Sequence, residues 1–483
     1  MCGIFGIFNH KYASNMVYLG LHALQHRGQE SSGIAVSGTN GIVSHRAMGL
    51  VSDVYTGELI KKLSGTSAIG HVRYSTSGTT SLSNAQPLVV EYSHGSLAIA
   101  HNGNLINASI LRQKLEVKGS IFQSTTDSEV IIHLMAISKK KNTVDRLIEA
   151  LKKVNGSYSL LILTDSELIA ARDPYGIRPL VLGKLKDSYV VSSESCAFDL
   201  IGAEYEREIN PGEILLITAQ GSESFYPFKE VKQKNCVFEY IYFARPDSIV
   251  FGRSVYLVRK ALGMELAKET HVDADMVIPI PDSGIGAAIG YAQQVNLPFE
   301  LGLIRNHYVG RTFIEPEERI RHFGVKLKLN PVSEAVKGKR IIVIDDSIVR
   351  ATTGRKVIKM LKECGAKEIH FRVSSPPVTH PCFYGIDTPT RKELIASSHD
   401  LKEIRKYMGT DTLEYLSVEG MMRALMKTGA HAGYTFCDAC FTGKYPLRFP
   451  CQMTLDEVES IAKRKKVVDP RKPYIIVDTR RSN

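Results

Sequence analysis

A cysteine stands at position 2, directly behind the initiator methionine, in the run MCGIFGIF. Once the methionine is cleaved, as a small second side chain permits, thiol and free α-amine belong to one residue. An α-amine with a pKa of ~7.7–8.0 is partly unprotonated near neutrality and can serve as base to its own thiol. Nucleophile and base then need no His–Asp pair from elsewhere. Three further segments carry groups that splitting an amide demands. His71-Val72-Arg73 ends a strand-like run and offers Arg73 as a bidentate clamp for a carboxylate. His101-Asn102-Gly103-Asn104 follows the run SLAIA, where the Asn102 side chain and the Gly103 backbone N–H can form an oxyanion hole. TTDSE, residues 125 to 129, opens a helix and places Asp127 where it can receive an ammonium. Taken singly, each has an ordinary reading: an accidental thiol, a surface ion pair, a tight turn, a helix cap.

The second half holds a different chemistry. In RIIVIDDSIVRATTG, residues 340 to 354, a β-branched strand delivers Asp345 and Asp346 at its carboxyl end. A loop containing Ser347, Thr352, Thr353 and Gly354 then enters the helix KVIKMLKE. Hydroxyls and backbone N–H groups at a helix start suit a phosphate, and paired carboxylates suit ribose hydroxyls and magnesium. A Walker B strand would look similar, but the chain has no GxxxxGK[ST] loop. GIGAAIG, residues 284 to 290, imitates a dinucleotide fingerprint with GxGxxxG spacing, behind an intruding Pro281-Asp282-Ser283. Cys437 and Cys440 form a CxxC pair without a thioredoxin-like context, and Cys236 and Cys382 lie far off in the chain. Four thiolates suit zinc or an iron–sulfur cluster, and spacing does not choose between them. Cys196 and Cys364 read as core thiols.

The elements that must position these groups fall into two patterns. Up to about residue 225, short β-type runs (GIFGIF, GIAVSG, SAIGHVRYS, SLAIAHNG, SYSLLILT, YVVSS, EILLIT) alternate with turns and helical stretches such as SEVIIHLMAISKK, which predicts an α+β layered domain. Past residue 250 the order is strand–helix–strand–helix–strand: MVIPI, GIGAAIGYAQQ, RIIVIDD, GRKVIKMLKECG, IHFRVSS. That order predicts an α/β domain whose parallel sheet binds ligands at its carboxyl ends. We therefore divide the chain into domains at 2–225 and 226–483, with C-terminal helical and cysteine-bearing segments in the second; Thr454 and Glu457 have capping-box spacing before the helix LDEVESIAKRKK. A chain of 483 residues fits two cores, no apolar run reaches the ~18 residues of a membrane span, and no signal peptide is visible, so a cytoplasmic protein is expected. The net charge of +11 is dispersed apart from Lys139–Lys141 and Lys463–Lys466, which argues for a polyanionic small substrate and against nucleic acid.

In order, MCGIFGI, HRGQESSGI, GHVRYST, HNGNL and TTDSE resemble the class II glutamine amidotransferase domain, whose N-terminal cysteine is the nucleophile; the likeness covers about the first 220 residues. It implies an N-terminal-nucleophile layered sandwich in which Cys2 attacks the glutamine carboxamide. Asn102 and Gly103 would hold the oxyanion, Arg73 and Asp127 would bind the α-carboxylate and α-amine, and Arg27 would help shape the glutamine pocket. Residues 340 to 354 resemble the PRPP-binding motif of type I phosphoribosyltransferases, and PDSG (281 to 284) resembles their pyrophosphate-side loop. The two in this order, with FARPDS (243 to 248) and the loop RNHYVGRTFI (305 to 314), resemble the amidophosphoribosyltransferase family nearly end to end. That resemblance implies glutamine and PRPP as substrates, Arg305 and Arg311 near the phosphates, and magnesium at Ser283, Asp345 and Asp346. It also implies an ammonia channel, a homotetramer and inhibition by purine nucleotides. One branch of the family holds a structural [4Fe–4S] cluster on cysteines in the contexts of Cys236, Cys382, Cys437 and Cys440. In that branch the nucleophile usually follows a short propeptide. Here only Met1 precedes Cys2, and its amine is exposed either by methionine removal alone or by processing this sequence does not show. Asparagine synthetase would need an SGGxDS loop, absent here, and the sugar-isomerase amidotransferase lacks the acidic pair. A PRPP- or nucleotide-binding sensor that has lost catalysis would not need to keep Cys2, Arg73, Asn102, Gly103 and Asp127 together.

Overall fold

The computed structural model describes residues 1–39, 41–74, 80–306, 329–388, 390–429 and 435–449. The expected C-terminal helix, the Lys463–Lys466 cluster and Arg311 lie outside these residues.

Strand Gly3–Phe8, which begins one residue after the cysteine, runs in the middle of a seven-stranded sheet. Its neighbours are the antiparallel strands Ser67–Arg73 and Ser188–Ser192. All six of its residues are buried, and the two-residue period splits them between two cores. Ile4 and Phe8 face a second, six-stranded sheet, together with Ile69, Ala98 and Leu161. Phe5 and Ile7 face the helix Ala13–Ala23, packed with Val17 and Leu21. The six-stranded sheet repeats the arrangement. In its strand Gly156–Leu163, Leu161 and Leu163 point to the shared core, while Leu160 and Ile162 point to an outer layer with helices Glu129–Ala136 and Thr143–Leu151. The result is helix, sheet, sheet, helix: the layered sandwich expected. Hairpin Ile214–Thr218 and Gly221–Phe225 closes the edge of the second sheet.

The second half is built on four parallel strands in the order Met276–Pro279, Arg340–Asp345, Glu368–Val373, Thr412–Tyr415. Ile342 and Ile344 face helices Val255–Glu269 and Ile285–Val295, whereas Ile341 and Val343 face helices Thr352–Glu363 and Leu401–Met408. The glycines of GIGAAIG serve helix packing: a Cβ on Gly290 would run into the Lys260 carbonyl, and one on Gly286 would press on Arg259. This explains the fingerprint-like spacing without a dinucleotide. The helix after Asp346 starts at Thr352, a turn earlier than read from the sequence, so Thr352, Thr353 and Gly354 form its first turn and are not loop residues. The two halves share a core in which Met1 and Ile177 pack with residues such as Val237, Tyr240 and Tyr384.

Candidate active sites

Pairing of Gly3 with Val72 puts Cys2 and Arg73 at the same end of the first sheet. The second sheet brings Asn102 and Gly103 to that end on strand Gly95–Leu105. With Met1 in place, the Cys2 nitrogen is a peptide N–H, and it donates to Asn102 Oδ1 at 3.3 Å. The Cys2 thiol approaches the Tyr74 carbonyl at 3.7 Å. Asn102 is fully buried, and its Nδ2 has no hydrogen-bond partner. A buried amide donor left empty costs about 1–3 kcal/mol, which marks a place kept for an acceptor. Arg73 is 3% exposed, with Glu30 Oε2 3.7 Å from its guanidinium. Asp127 does not cap its helix; its Oδ2 accepts from the Leu105 N–H at 2.7 Å, which docks it on the end of strand Gly95–Leu105. Five sequence-derived residues, Cys2, Arg73, Asn102, Gly103 and Asp127, thus converge on one end of the sandwich.

Arg27 sits deeper at the same end. It lies beneath Cys2, 1% exposed, with Nε donating to the Cys2 carbonyl at 2.9 Å. Its remaining donors meet Glu194, Glu239 and the Met1 sulfur. Glu239 also takes Arg178 at 3.1 Å. With every guanidinium donor engaged, Arg27 supports the backbone of the nucleophile and does not line an open pocket. Burial would raise the Glu194 carboxyl, but the charges of His26 and Arg27 and their hydrogen bonds overcome it and hold the group well below the usual carboxylate range. Sequence reasoning missed Glu194, Glu239 and Arg178, and also two histidines. Burial, then Arg73, pushes His71 down to about 3, so it stays neutral and donates from Nε2 to the His101 carbonyl at 3.1 Å. His101 is pushed up despite its burial, mainly by the Asp127 charge. The Met1 amine is lowered to about 6, by burial first; the charge of Cys2 opposes this, and Arg178 and Arg27 add to it.

In the second half, Asp346 closes a hydrogen-bonded set: Ser283 Oγ donates to its Oδ1 and Ser347 Oγ to its Oδ2, each at 2.5 Å, and its own N–H donates to Asp345 Oδ1 at 2.9 Å. Both carboxyls are pushed up, Asp345 by burial and then the Asp346 charge, Asp346 by burial against the pull of its two serines and Arg259. Two crowded carboxyls in this state fit a divalent cation or hydroxyl donors, either of which would relieve them. Arg305, the last residue of strand Leu303–Arg305, pairs with Asp282 of the PDSG segment. Thr352 and Thr353 are exposed, while Gly354 is buried where a Cβ would meet the Met408 methyl. Arg259 lies behind the acid pair and donates to the carbonyls of Tyr240, Tyr242 and Ala244 at 2.7, 2.9 and 2.7 Å. Burial first, then the charges of Asp346, Tyr74 and Asp345, push Tyr242 up, so its hydroxyl is within electrostatic reach both of the acid pair and of Tyr74, whose carbonyl adjoins the Cys2 thiol.

Cys236 and Cys437 are register partners on the parallel strands Asn235–Cys236 and Phe436–Cys437, and Cys440 follows on the short helix Ala439–Thr442. Cys236 feels the charge of Cys382, Cys437 feels those of Cys236 and Cys382, and Cys440 feels all three. Burial pushes Cys236 up to about 11. Arg178 adjoins Cys236 and Cys382, and its buried Nη2 has no partner. A cation with an open donor beside these thiols fits an anionic metal–thiolate group. Among the described residues, no three His, Cys, Asp or Glu side chains are grouped closely enough to hold a single ion. Cys196 is a core thiol as expected, pushed up by burial, and Cys364 is half-buried beside the second-half core.

Comparison with known proteins agrees with this geometry. Residues 71–199 match the glutamine amidotransferase domain and residues 258–376 the phosphoribosyl transferase domain. The amidophosphoribosyltransferase of Bacillus subtilis is 50% identical over 446 residues, 92% of this chain and 94% of that protein. Amidophosphoribosyltransferase 1, chloroplastic, of Arabidopsis thaliana is 50% identical over 92% of this chain and 79% of its own length. A solved structure of glutamine phosphoribosylpyrophosphate (PRPP) amidotransferase from B. subtilis, complexed with ADP and GMP, superposes with a TM-score of 0.89 at 48% identity, covering 95% of this chain and 100% of that one. Near-complete overlap with both halves, and not with one domain alone, settles the assignment: the chain belongs to the amidophosphoribosyltransferase family.

Proposed function

We propose that this chain makes 5-phosphoribosylamine, pyrophosphate and glutamate from glutamine, PRPP and water, with Cys2 as the amide nucleophile. The carrying observation is the empty, fully buried Asn102 Nδ2 beside Cys2. Once Met1 is removed, the Cys2 amine takes the Sγ proton and the sulfur attacks the carboxamide carbon. Asn102 Nδ2 and the Gly103 N–H receive the oxyanion, an interaction of about 2.7–4 kcal/mol per donor in the transition state. The amine then passes its proton to the leaving ammonia, and water cleaves the thioester to glutamate. Burial, with Arg178 and Arg27 nearby, lowers the amine at Met1, and burial in general favours the neutral form of an amine, the form that accepts the thiol proton. Arg73 clamps the α-carboxylate of glutamine and Asp127 its α-ammonium.

The ammonia attacks C1 of PRPP as pyrophosphate leaves. Thr352, Thr353, Gly354 and Ser347 cradle phosphate, Asp345 and Asp346 hold ribose hydroxyls, and Arg305 and Arg311 neutralise the departing charge. Magnesium, held at Ser283, Asp345 and Asp346, would offset pyrophosphate charge when bound. Tyr242, which feels both Tyr74 and the acid pair, supports a short route for ammonia between the sites. The thiols Cys236, Cys382, Cys437 and Cys440 would carry a structural [4Fe–4S] cluster, supported by the open donor of Arg178 among them. Purine-nucleotide inhibition is supported by the ADP and GMP in the B. subtilis structure. A cytoplasmic homotetramer completes the proposal; no described helix is long and apolar enough to cross a membrane.

Cys2→Ala, assayed with glutamine and separately with ammonium, tests the mechanism. Glutamine-dependent turnover is expected to vanish while ammonium-dependent phosphoribosylamine formation persists; retention of both would refute it. Iron, zinc and acid-labile sulfide measured on anaerobically purified protein test the cluster, and zinc without sulfide would reject it.

A further inference from the structure

The first half of the chain does not hold the oxyanion strand alone. On one side a Cβ on Gly103 would run into the Ser157 carbonyl, which the glycine avoids. On the other it meets Gly385, which has a φ of 104° and whose missing Cβ would stand 3.0 Å from the Gly103 Cα and carbonyl carbon. Two hydrogen bonds flank this backbone contact. Asn104 Nδ2 donates to the Phe383 carbonyl at 2.8 Å, and Ser157 Oγ donates to the Tyr384 carbonyl at 2.7 Å. Three consecutive residues of the second half therefore bear on the segment that carries Asn102 and Gly103. They follow directly on Cys382, whose sulfur accepts the Tyr384 N–H at 3.3 Å. Arg178, beside Cys236 and Cys382, donates from Nε to the same Tyr384 carbonyl at 2.7 Å.

Oxyanion donors work because they are already in place when charge develops, and a misplacement of ~1 Å can cost on the order of 10²-fold in rate. A glycine packed backbone to backbone against the oxyanion glycine leaves no side chain to absorb a shift. We propose that the turn Phe383-Tyr384-Gly385 is a positioning element for the amide-splitting site, through which the order of the cysteine group is transmitted to the Asn102–Gly103 strand. The turn acts on glutamine cleavage and leaves phosphoribosyl transfer alone. The inference rests on the assignment of Asn102 and Gly103 to the oxyanion.

Two single variants of the full chain test it. Gly385→Ala drives a methyl toward Gly103, and Asn104→Ala removes the bond to Phe383 without touching a left-handed residue. For each, kcat and KM with glutamine, turnover with ammonium, alkylation of Cys2 by a glutamine-like haloketone, and iron and sulfide content are measured. Glutamine kcat should fall about 10- to 100-fold with KM changed less than about threefold, since only the transition state loses its support. Cys2 alkylation, which needs bound glutamine geometry, should slow, while ammonium turnover and metal content stay at the unmodified level. Glutamine kcat within about twofold in both variants would overturn the proposal. So would a parallel loss of ammonium turnover and metal, which marks general unfolding. If Cys2→Ala keeps its glutamine turnover, the oxyanion assignment itself fails, a result separate from either of these.

Discussion

Glu239→Gln probes the charge network under Cys2 while keeping the shape of the side chain. Glu239 Oε1 accepts Arg27 at 2.9 Å and Arg178 at 3.1 Å, and its Oε2 accepts Arg27 at 3.0 Å. With Glu194, the set holds two guanidiniums and two carboxylates, all with fully buried side chains. The amide substitution leaves one positive charge uncompensated. Breaking such a buried pair from one side costs about 3–5 kcal/mol, because the remaining ion keeps its desolvation penalty. Unfolding entropy for 483 residues is about 1 kcal/mol per kelvin, so Tm should drop by about 3–5 °C if the chain melts as a unit. The drop roughly doubles if one half melts first. Because Arg27 and Arg178 belong to the first sandwich and Glu239 to the segment after it, calorimetry should also show the transitions of the halves moving apart. Glu239→Asp, which retains the charge, should lose less. A Tm within about 1 °C of the unmodified protein, or an equal loss from Gln and Asp, would refute the argument that charge compensation governs this interface.

Two other outcomes follow from the same surroundings. Asp345→Asn removes one of the two crowded carboxyls and should lower turnover with glutamine and with ammonium by the same factor, on the order of 10²-fold; an effect confined to glutamine cleavage would contradict its place in the phosphoribosyl site. The Glu194 carboxyl is depressed below its ordinary value of 4.5 in the folded chain, so its stabilisation is complete above that pH and fades as pH falls through the folded value. Thermal midpoints of Glu194→Gln and unmodified protein should thus differ most near neutrality and draw steadily closer as pH falls below about 4.5, and a gap that does not narrow in acid would exclude the ion pair as its source.

What could be read in advance was what short-range pattern determines. All seven strand-like runs of the first half form strands because their apolar residues are contiguous and their turns carry glycine, asparagine or serine. The hairpin partner Gly41–Met48 escaped notice because its outer edge is half exposed and contains Ser44, His45 and Arg46. The fourth parallel strand, Thr412–Tyr415, is four residues of mixed character, and only pairing with Glu368–Val373 makes it a strand. The early start of the helix at Thr352 has a similar cause: a left-handed Ala351 turns the chain, and no residue type announces that.

The active-site motifs show the same division more sharply. A motif marks where a residue sits, but partners far off in sequence decide what it does. HRGQE placed Arg27 beside Cys2, but its partners could not be read from it, because Glu194 and Glu239 lie 167 and 212 positions away. The role proposed for Asn102 could be read from sequence because it needs only its own amide and the strand that carries it. The contacts of Phe383, Tyr384 and Gly385 with that strand and its neighbour could not, because they run through carbonyls and an absent side chain, features with no residue-type signature. The groups proposed to act on an amide are therefore visible from sequence, whereas the groups that hold them in place, Glu194 and Arg178 from the first half and Glu239 and Gly385 from the second, emerge only in the fold. The consequence can be checked within one protein: substitutions at Cys2 and Asn102 should abolish chemistry with little effect on folding, and substitutions at Glu239 should do the reverse.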